Sequence, residues 1–266
     1  MYATNYHRAS SLDDAVKLQQ GASEAKFVSG GMTLIPAMKT RLSAPSDLID
    51  LRHIEGMKGI KVSGRDVTIG AGVTHAEIAQ SKEIESVCPA LHDMASHIGD
   101  PHVRHLGTIG GSVANNDPAA DYPAAMLAMD GTVVTNKREV KADQFFSGLF
   151  ETVLADDEIV TAVKITVPER SGYEKFRNPA SRYAMTGVFV AKGAGGVRVA
   201  VTGAGDTGVF RAKDLEAKLG SNFSASALDG ASVSSANLMA DIHASAEYRA
   251  NLIVVMAKRA VDKANR

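Results

Sequence analysis

The sequence contains no tryptophan, a single cysteine and few aromatic residues, 5% of the total. A lone thiol, Cys88, excludes an intrachain disulfide and a thiolate set for zinc or an iron–sulfur cluster. If the protein handles electrons, any metal centre belongs to a partner. An excess of one charge is also missing: 29 Lys and Arg stand against 30 Asp and Glu. That balance offers no clustered basic footprint, so nucleic acid is not expected as a partner. Long apolar runs are absent too. Stretches such as LIVVMA, residues 252–257, are far too short to span a bilayer, and the N-terminal MYATNYHRASSLDD lacks the apolar core of a signal peptide. The expectation is a cytoplasmic protein with no membrane-spanning segment.

What is present is ordinary folding material. At 45% hydrophobic and 22% charged the chain predicts a soluble fold, and 266 residues exceed the usual single core, which predicts two or three compact units. The first, residues 1–55, alternates helix and strand signals. SSLDDAVKLQQG has Ser10 or Ser11 as N-cap, acids in its first turn and Gly21 as its stop; AKFVSG and DLIDLR read as strands around a helix in TLIPAMKTRL. The second unit, residues 56–168, opens with a hairpin turning near Gly64, Arg65 and Asp66. A helix follows that Thr74 and Glu77 can close with a capping box, then one running from Pro89 to Gly99. The third, residues 169–266, reads as an antiparallel sheet from YEKF, AMTGVFVAKG and GVRVAVTGAG. Helices are expected in RAKDLEAKLG and in the final AEYRANLIVVMAKRAVDKANR, where Leu252, Val255 and Met256 follow helical spacing.

Two glycine pairs interrupt this pattern. Gly30 and Gly31 end the AKFV strand, with Thr33 placed to cap the next helix or to offer its hydroxyl. Gly107, Gly110 and Gly111 sit among small and polar residues in RHLGTIGGSVANNDPAAD. Glycines allow close backbone approach, and successive N–H groups can form an anion-binding concavity suited to a pyrophosphate. Neither stretch matches the Rossmann fingerprint or the P-loop. A Gly-Gly between strand and helix is also an ordinary tight turn, so the residues alone leave both readings open.

The stretches FVSGGMTLIPAMKTRLSAPSDLIDL and IGDPHVRHLGTIGGSVANNDPAADYPAAMLAMDG resemble the flavin subunit of the molybdenum hydroxylases, the xanthine dehydrogenase and aerobic carbon monoxide dehydrogenase family. The resemblance extends over nearly the whole chain. It implies an α+β fold of the FAD-binding (PCMH-like) type, two α+β subdomains followed by a small C-terminal α+β domain with an antiparallel sheet. It also implies FAD held by an AGGHS-like and a TIGGN-like loop. Those loops fall here on Ser29, Gly30, Gly31, Met32 and Thr33, and on Thr108, Ile109, Gly110, Gly111 and Ser112, with Asp121 as the acid closing DPAAD. Ile159 or Val160, in DDEIV, would lie beside the flavin and Tyr183 would stack on its ring. Met32 stands where the family often has His, Ser112 where many members have Asn, and Arg182 where an acid is common. The implied function is an oxidoreductase subunit that takes electrons from a small [2Fe–2S] subunit and passes them to an external acceptor. A large molybdenum-cofactor subunit selects and oxidises the substrate. A stand-alone flavin oxidoreductase of the same fold and a non-catalytic nucleotide-binding regulator stay open as alternatives.

Two other features carry less. Gly203, Gly205 and Gly208 make a literal G-x-G-x-x-G, but the chain that follows has no second buried strand ending in an acid, as a dinucleotide site requires, so a glycine-rich connection is expected. His92, His97, His102 and His105 crowd one stretch without the i, i+4 spacing or the companion ligands of a metal site, and Cys88 reads as a small core residue.

Overall fold

Short strands that alternate with amphipathic helices have to bury their apolar faces against one another. In the computed structural model, which describes residues 1–266, they do so as three successive sheets. The first holds β1 (Asn5–Arg8), β2 (Ala25–Val28) and β3 (Asp47–Asp50), with α1 (Leu12–Gly21) and α2 (Leu34–Lys39) as connections. Its order is β1-β3-β2, all parallel, with Phe27 and His7 flanking Ile49. Ser11 caps α1, accepting the Asp14 N–H. Asp50, buried at the end of β3, accepts the Tyr6 hydroxyl at 2.6 Å and a two-pronged bond from Arg52; burial opposes its charge, yet these partners hold its pKa at about 2.

The second sheet is antiparallel in the order β4-β5-β10-β6-β7. Its strands are β4 (Ile60–Ser63), β5 (Asp66–Gly70), β6 (Thr132–Thr135), β7 (Glu139–Lys141) and β10 (Val160–Thr166). Between β5 and β6 run six short helices: α3 (His75–Gln80), α4 (Lys82–Val87), α5 (Pro89–Ser96), α6 (Pro101–Leu106), α7 (Ile109–Asn115) and α8 (Tyr122–Ala128). The Thr74–Glu77 capping box is formed. A short α9 (Ala142–Phe145) leads into a small hairpin of β8 (Phe146–Gly148) and β9 (Glu151–Thr152).

The third sheet is antiparallel in the order β11-β12-β13-β14, from β11 (Arg170–Arg177), β12 (Ala184–Gly193), β13 (Gly196–Thr202) and β14 (Phe210–Arg211). It packs under α10 (Lys213–Ser221) and the long α11 (Ala246–Ala264), where Ile253, Met256 and Ala260 face the core and Leu252 is buried as well. No helix is long and apolar enough to cross a membrane.

The large core runs through the first two sheets and into the third, so the units are not independent. Every residue of α8 is buried, and its small side chains let it sit against β12 and β13. At that junction Asp121 is only 3% exposed. Lys175 Nζ lies 2.9 and 3.0 Å from its two carboxylate oxygens, and the Tyr173 hydroxyl donates to it. Tyr173 and Lys175 alternate onto one face of β11. Cutting a buried pair leaves its partner charge without compensation, so Lys175→Met should cost about 3–5 kcal/mol in chemical denaturation, and Lys175→Met with Asp121→Asn should recover most of that loss.

Candidate functional site

The two glycine loops meet. A side chain at Gly30 would place its Cβ 2.2 Å from the Leu106 carbonyl oxygen and 2.7 Å from the Gly107 Cα, so only glycine permits this approach. Thr108 Oγ1 donates to Ser29 Oγ at 3.3 Å across the same seam. The stretch from Ser29 to Leu34 then passes over the seam with no backbone N–H donating a hydrogen bond within the chain. Thr33, exposed and in helical conformation, makes no capping bond, so its hydroxyl and this run of amides remain available. Successive free N–H groups on a glycine-containing loop form a concavity for anionic oxygens, and a dinucleotide pyrophosphate is a ligand of matching chemistry. On that ground the first loop fits FAD.

The second loop is built differently from the open, amide-rich segment expected from its composition. An isolated bridge between Thr74 and Thr108 sews it to residues 71–75. Ile109 N–H donates to the Val73 carbonyl at 3.0 Å, Gly110 N–H to Ala71 at 2.9 Å, and Gly111 N–H to Thr108 Oγ1 at 3.2 Å. These amides are spent inside the protein, and the stretch from Ile109 is helix rather than loop. Gly110 needs its glycine for packing, since a Cβ there would lie 2.4 Å from the Ala71 Cβ. Gly111 is exposed, and a Cβ there would meet only Thr108 Oγ1, at 3.1 Å. Ser112 follows it half-buried.

The remaining candidates divide. Tyr183 is 47% exposed, and loss of solvent followed by the charges of Asp117 and Asp121 raises its hydroxyl pKa. Burial raises that of the Asp117 carboxyl as well. Asp121 stands at the start of α8, its carboxylate engaged by Tyr173 and Lys175. Ile159 lies inside the core, 3% exposed, its N–H bonded to Asn136 Oδ1. Met32 is half-buried in the first loop. His97 Nδ1 lies 2.8 Å from the Asp93 carbonyl oxygen and Cys88 is buried in the core.

His75 is a participant that the sequence reading passed over. Its backbone N–H donates to the Gly107 carbonyl at 2.9 Å and its ring lies beneath Gly107, where a Cβ would come 2.6 Å from Nε2. Nδ1 and the neighbouring Tyr122 hydroxyl are both buried without partners, with ring centroids 5.3 Å apart. Burial, with Arg104 adding to it, pushes the His75 pKa down to about 4. The capping box that starts with Thr74 was the available signal, because it places the next side chain at the head of a helix.

Two outcomes follow from this geometry. Gly110→Ala should destabilise the fold by about 1–3 kcal/mol through overpacking, whereas Gly111→Ala should stay within about 1 kcal/mol of the parent in urea unfolding. His75 is neutral in the fold but takes a proton near pH 6.5 when unfolded, so the unfolded state binds more protons between about pH 6.5 and 4 and stability falls as pH falls through that window. From pH 7 to 5 this should remove about 2 kcal/mol, a slope that His75→Phe should flatten in parallel denaturation curves.

Comparison with known proteins places the chain in a family. Residues 2–169 match the family described as the FAD binding domain in molybdopterin dehydrogenase. The chain is 35% identical to the nicotine 6-hydroxylase medium subunit of Paenarthrobacter nicotinovorans, with 98% of this chain and 97% of that one covered. It is 34% identical to the carbon monoxide dehydrogenase medium chain of Afipia carboxidovorans, with 98% and 96% covered. The solved structure of reconstituted CO dehydrogenase from Oligotropha carboxidovorans superposes with a TM-score of 0.88 at 32% identity, covering 99% of this chain and 98% of that chain. Similarity of this extent, running from the first glycine loop through the C-terminal sheet, leaves one conclusion: the chain belongs to the molybdenum hydroxylase family, as its FAD-binding medium subunit, part of an FAD-dependent oxidoreductase.

Proposed function

We propose that this subunit works in the cytoplasm as the electron outlet of a three-part complex. It receives electrons from a small [2Fe–2S] subunit and delivers them to an external acceptor, while a large molybdenum-cofactor subunit oxidises the substrate. The observation that carries this reading is the seam between the two glycine loops, with the free amides of Ser29 to Leu34 above it. The relatives support it, since their names describe medium subunits or chains. A single cysteine in the core leaves cluster ligation to another chain.

FAD, when bound, supplies the redox chemistry. This chain contributes position and electrostatics. Ser29, Gly30, Gly31, Met32 and Thr33 would hold the pyrophosphate through backbone amides and the Thr33 hydroxyl. Thr108, Ile109, Gly110, Gly111 and Ser112 would support it from the facing side, chiefly at the open Cα of Gly111. Tyr183, exposed beside Asp117, would cover the flavin ring, while Ile159 would back the site from the core and Asp121 would act through the charge it places near Tyr183.

The loop assignment is tested with Gly111→Val, which adds a branched side chain at an exposed position that no other segment needs. After incubation with FAD and desalting, the variant should retain about tenfold less flavin than the parent by absorbance, with urea unfolding within about 1 kcal/mol of the parent. Equal occupancy would remove this loop from the site. Co-expression with neighbouring iron–sulfur and molybdenum chains should return a complex through which substrate bleaches the flavin; a chain that reduces its flavin without them would be a stand-alone enzyme.

A further inference from the structure

We propose that Arg249 is a positioning residue for Tyr183: with Gly203 it clamps the chain just beyond that tyrosine and so sets how the ring meets the flavin. The proposal rests on the reading that Tyr183 faces the flavin. Arg249 projects from the first turns of α11 and is only 2% exposed. Its Nη1 donates to the Gly203 carbonyl at 2.5 Å and to the Met185 carbonyl, and its Nη2 to Asp241 at 2.7 Å. Its Nε is buried with no partner. Burying a guanidinium whose donors are not all satisfied is costly, and apolar packing against the sheet would need no charge. What the charge does here is draw two backbone carbonyls from different strands to one point.

Gly203 makes that convergence possible. It lies at φ 77, and a Cβ there would sit 2.2 Å from the Ala184 carbonyl oxygen, so any other residue would push the two strand ends apart. Its N–H donates to the Pro118 carbonyl at 2.8 Å, and Thr202 Oγ1 donates to the carbonyls of Pro118 and Ala120 at 3.0 and 2.6 Å. Three segments therefore meet at Gly203: the DPAAD stretch that follows the second glycine loop, the start of β12, and α11. The G-x-G-x-x-G of this region serves backbone contact rather than a phosphate.

The tyrosine has few other means of being held. The turn before it closes largely on itself, with the Asn178 N–H bonded to the Tyr183 carbonyl at 2.8 Å and the Arg182 N–H to the Asn178 carbonyl at 2.9 Å. Arg182 takes φ 63, a conformation that reverses the chain just before the ring. With one side a self-contained turn and the ring half in solvent, the direction of Tyr183 is set from the other side, at Ala184 and Met185, where Gly203 and Arg249 act. The same clamp carries Tyr183 toward Asp117, since Pro118 is tied to Gly203.

The test uses the FAD-loaded chain and compares flavin fluorescence with thermal stability. A phenol in contact with a flavin quenches its emission, so Tyr183→Ala should raise emission several-fold. Arg249→Gln should reproduce most of that rise, the double variant should show no further rise, and Arg249→Lys should restore part of the quenching. Asp241→Asn keeps the guanidinium and removes only its exposed carboxylate partner, so it keeps the question answerable if Arg249→Gln fails to fold; it should give a smaller rise. Unchanged emission in folded Arg249→Gln, or in Asp241→Asn where the former does not fold, would overturn the clamp while Tyr183→Ala still responds. Unchanged emission in Tyr183→Ala itself would instead overturn the placement of Tyr183 at the flavin, and the clamp with it.

Discussion

The site depends on one steric fact, the approach of Gly30 to the backbone of Leu106 and Gly107. Main chain lies against main chain there because no Cβ intervenes. That contact closes the parallel β1-β3-β2 unit onto the helical layer of the antiparallel sheet, and the bond from Thr108 to Ser29 fixes their register. Everything that makes the first loop useful follows from it: a chain pressed against one neighbour on its inner side has its N–H groups left over on the other. The amides of Ser29 to Leu34 are the ones that this packing leaves unpaired.

The frame is polar where it joins its parts. Asp121, Lys175 and Tyr173 tie the start of α8 to the third sheet, and Thr202 and Gly203 tie that sheet back to the DPAAD stretch. Buried charges of this kind contribute little net stability compared with apolar packing, but each must find its partner, and that requirement selects one arrangement of the sheets over its neighbours. Not every buried polar atom finds one: Arg249 Nε, His75 Nδ1 and the Tyr122 hydroxyl are left without partners, the last two in adjoining rings with His75 packed against Gly107.

Much of the architecture was legible in the chain. Capping at Ser11 and Thr74, the hairpin at Gly64, and the alternation in AMTGVFVAKG and GVRVAVTGAG all specify local structure through interactions within a few residues. The glycine pairs were legible as places where something comes close. What came close was less so. Gly110 is small because Ala71 is near, and Gly203 because Ala184 is near; neither neighbour can be inferred from the glycine itself. The second loop read as a source of free amides, yet its Ile109 and Gly110 amides bond to Val73 and Ala71, a pairing that no local pattern announces.

The sequence by itself determined the capped helices and alternating strands, the absence of a thiolate set, and two glycine loops whose residues resemble a flavin site, because these rest on side-chain chemistry and short-range backbone preference. Only the tertiary structure decided which glycine stays open and which packs against the protein. It also decided that Asp121 answers to Lys175, and that an arginine on the last helix reaches the chain beside Tyr183. Those relations join residues far apart in the chain through contacts a few ångströms long, and such contacts exist only once the sheets have stacked.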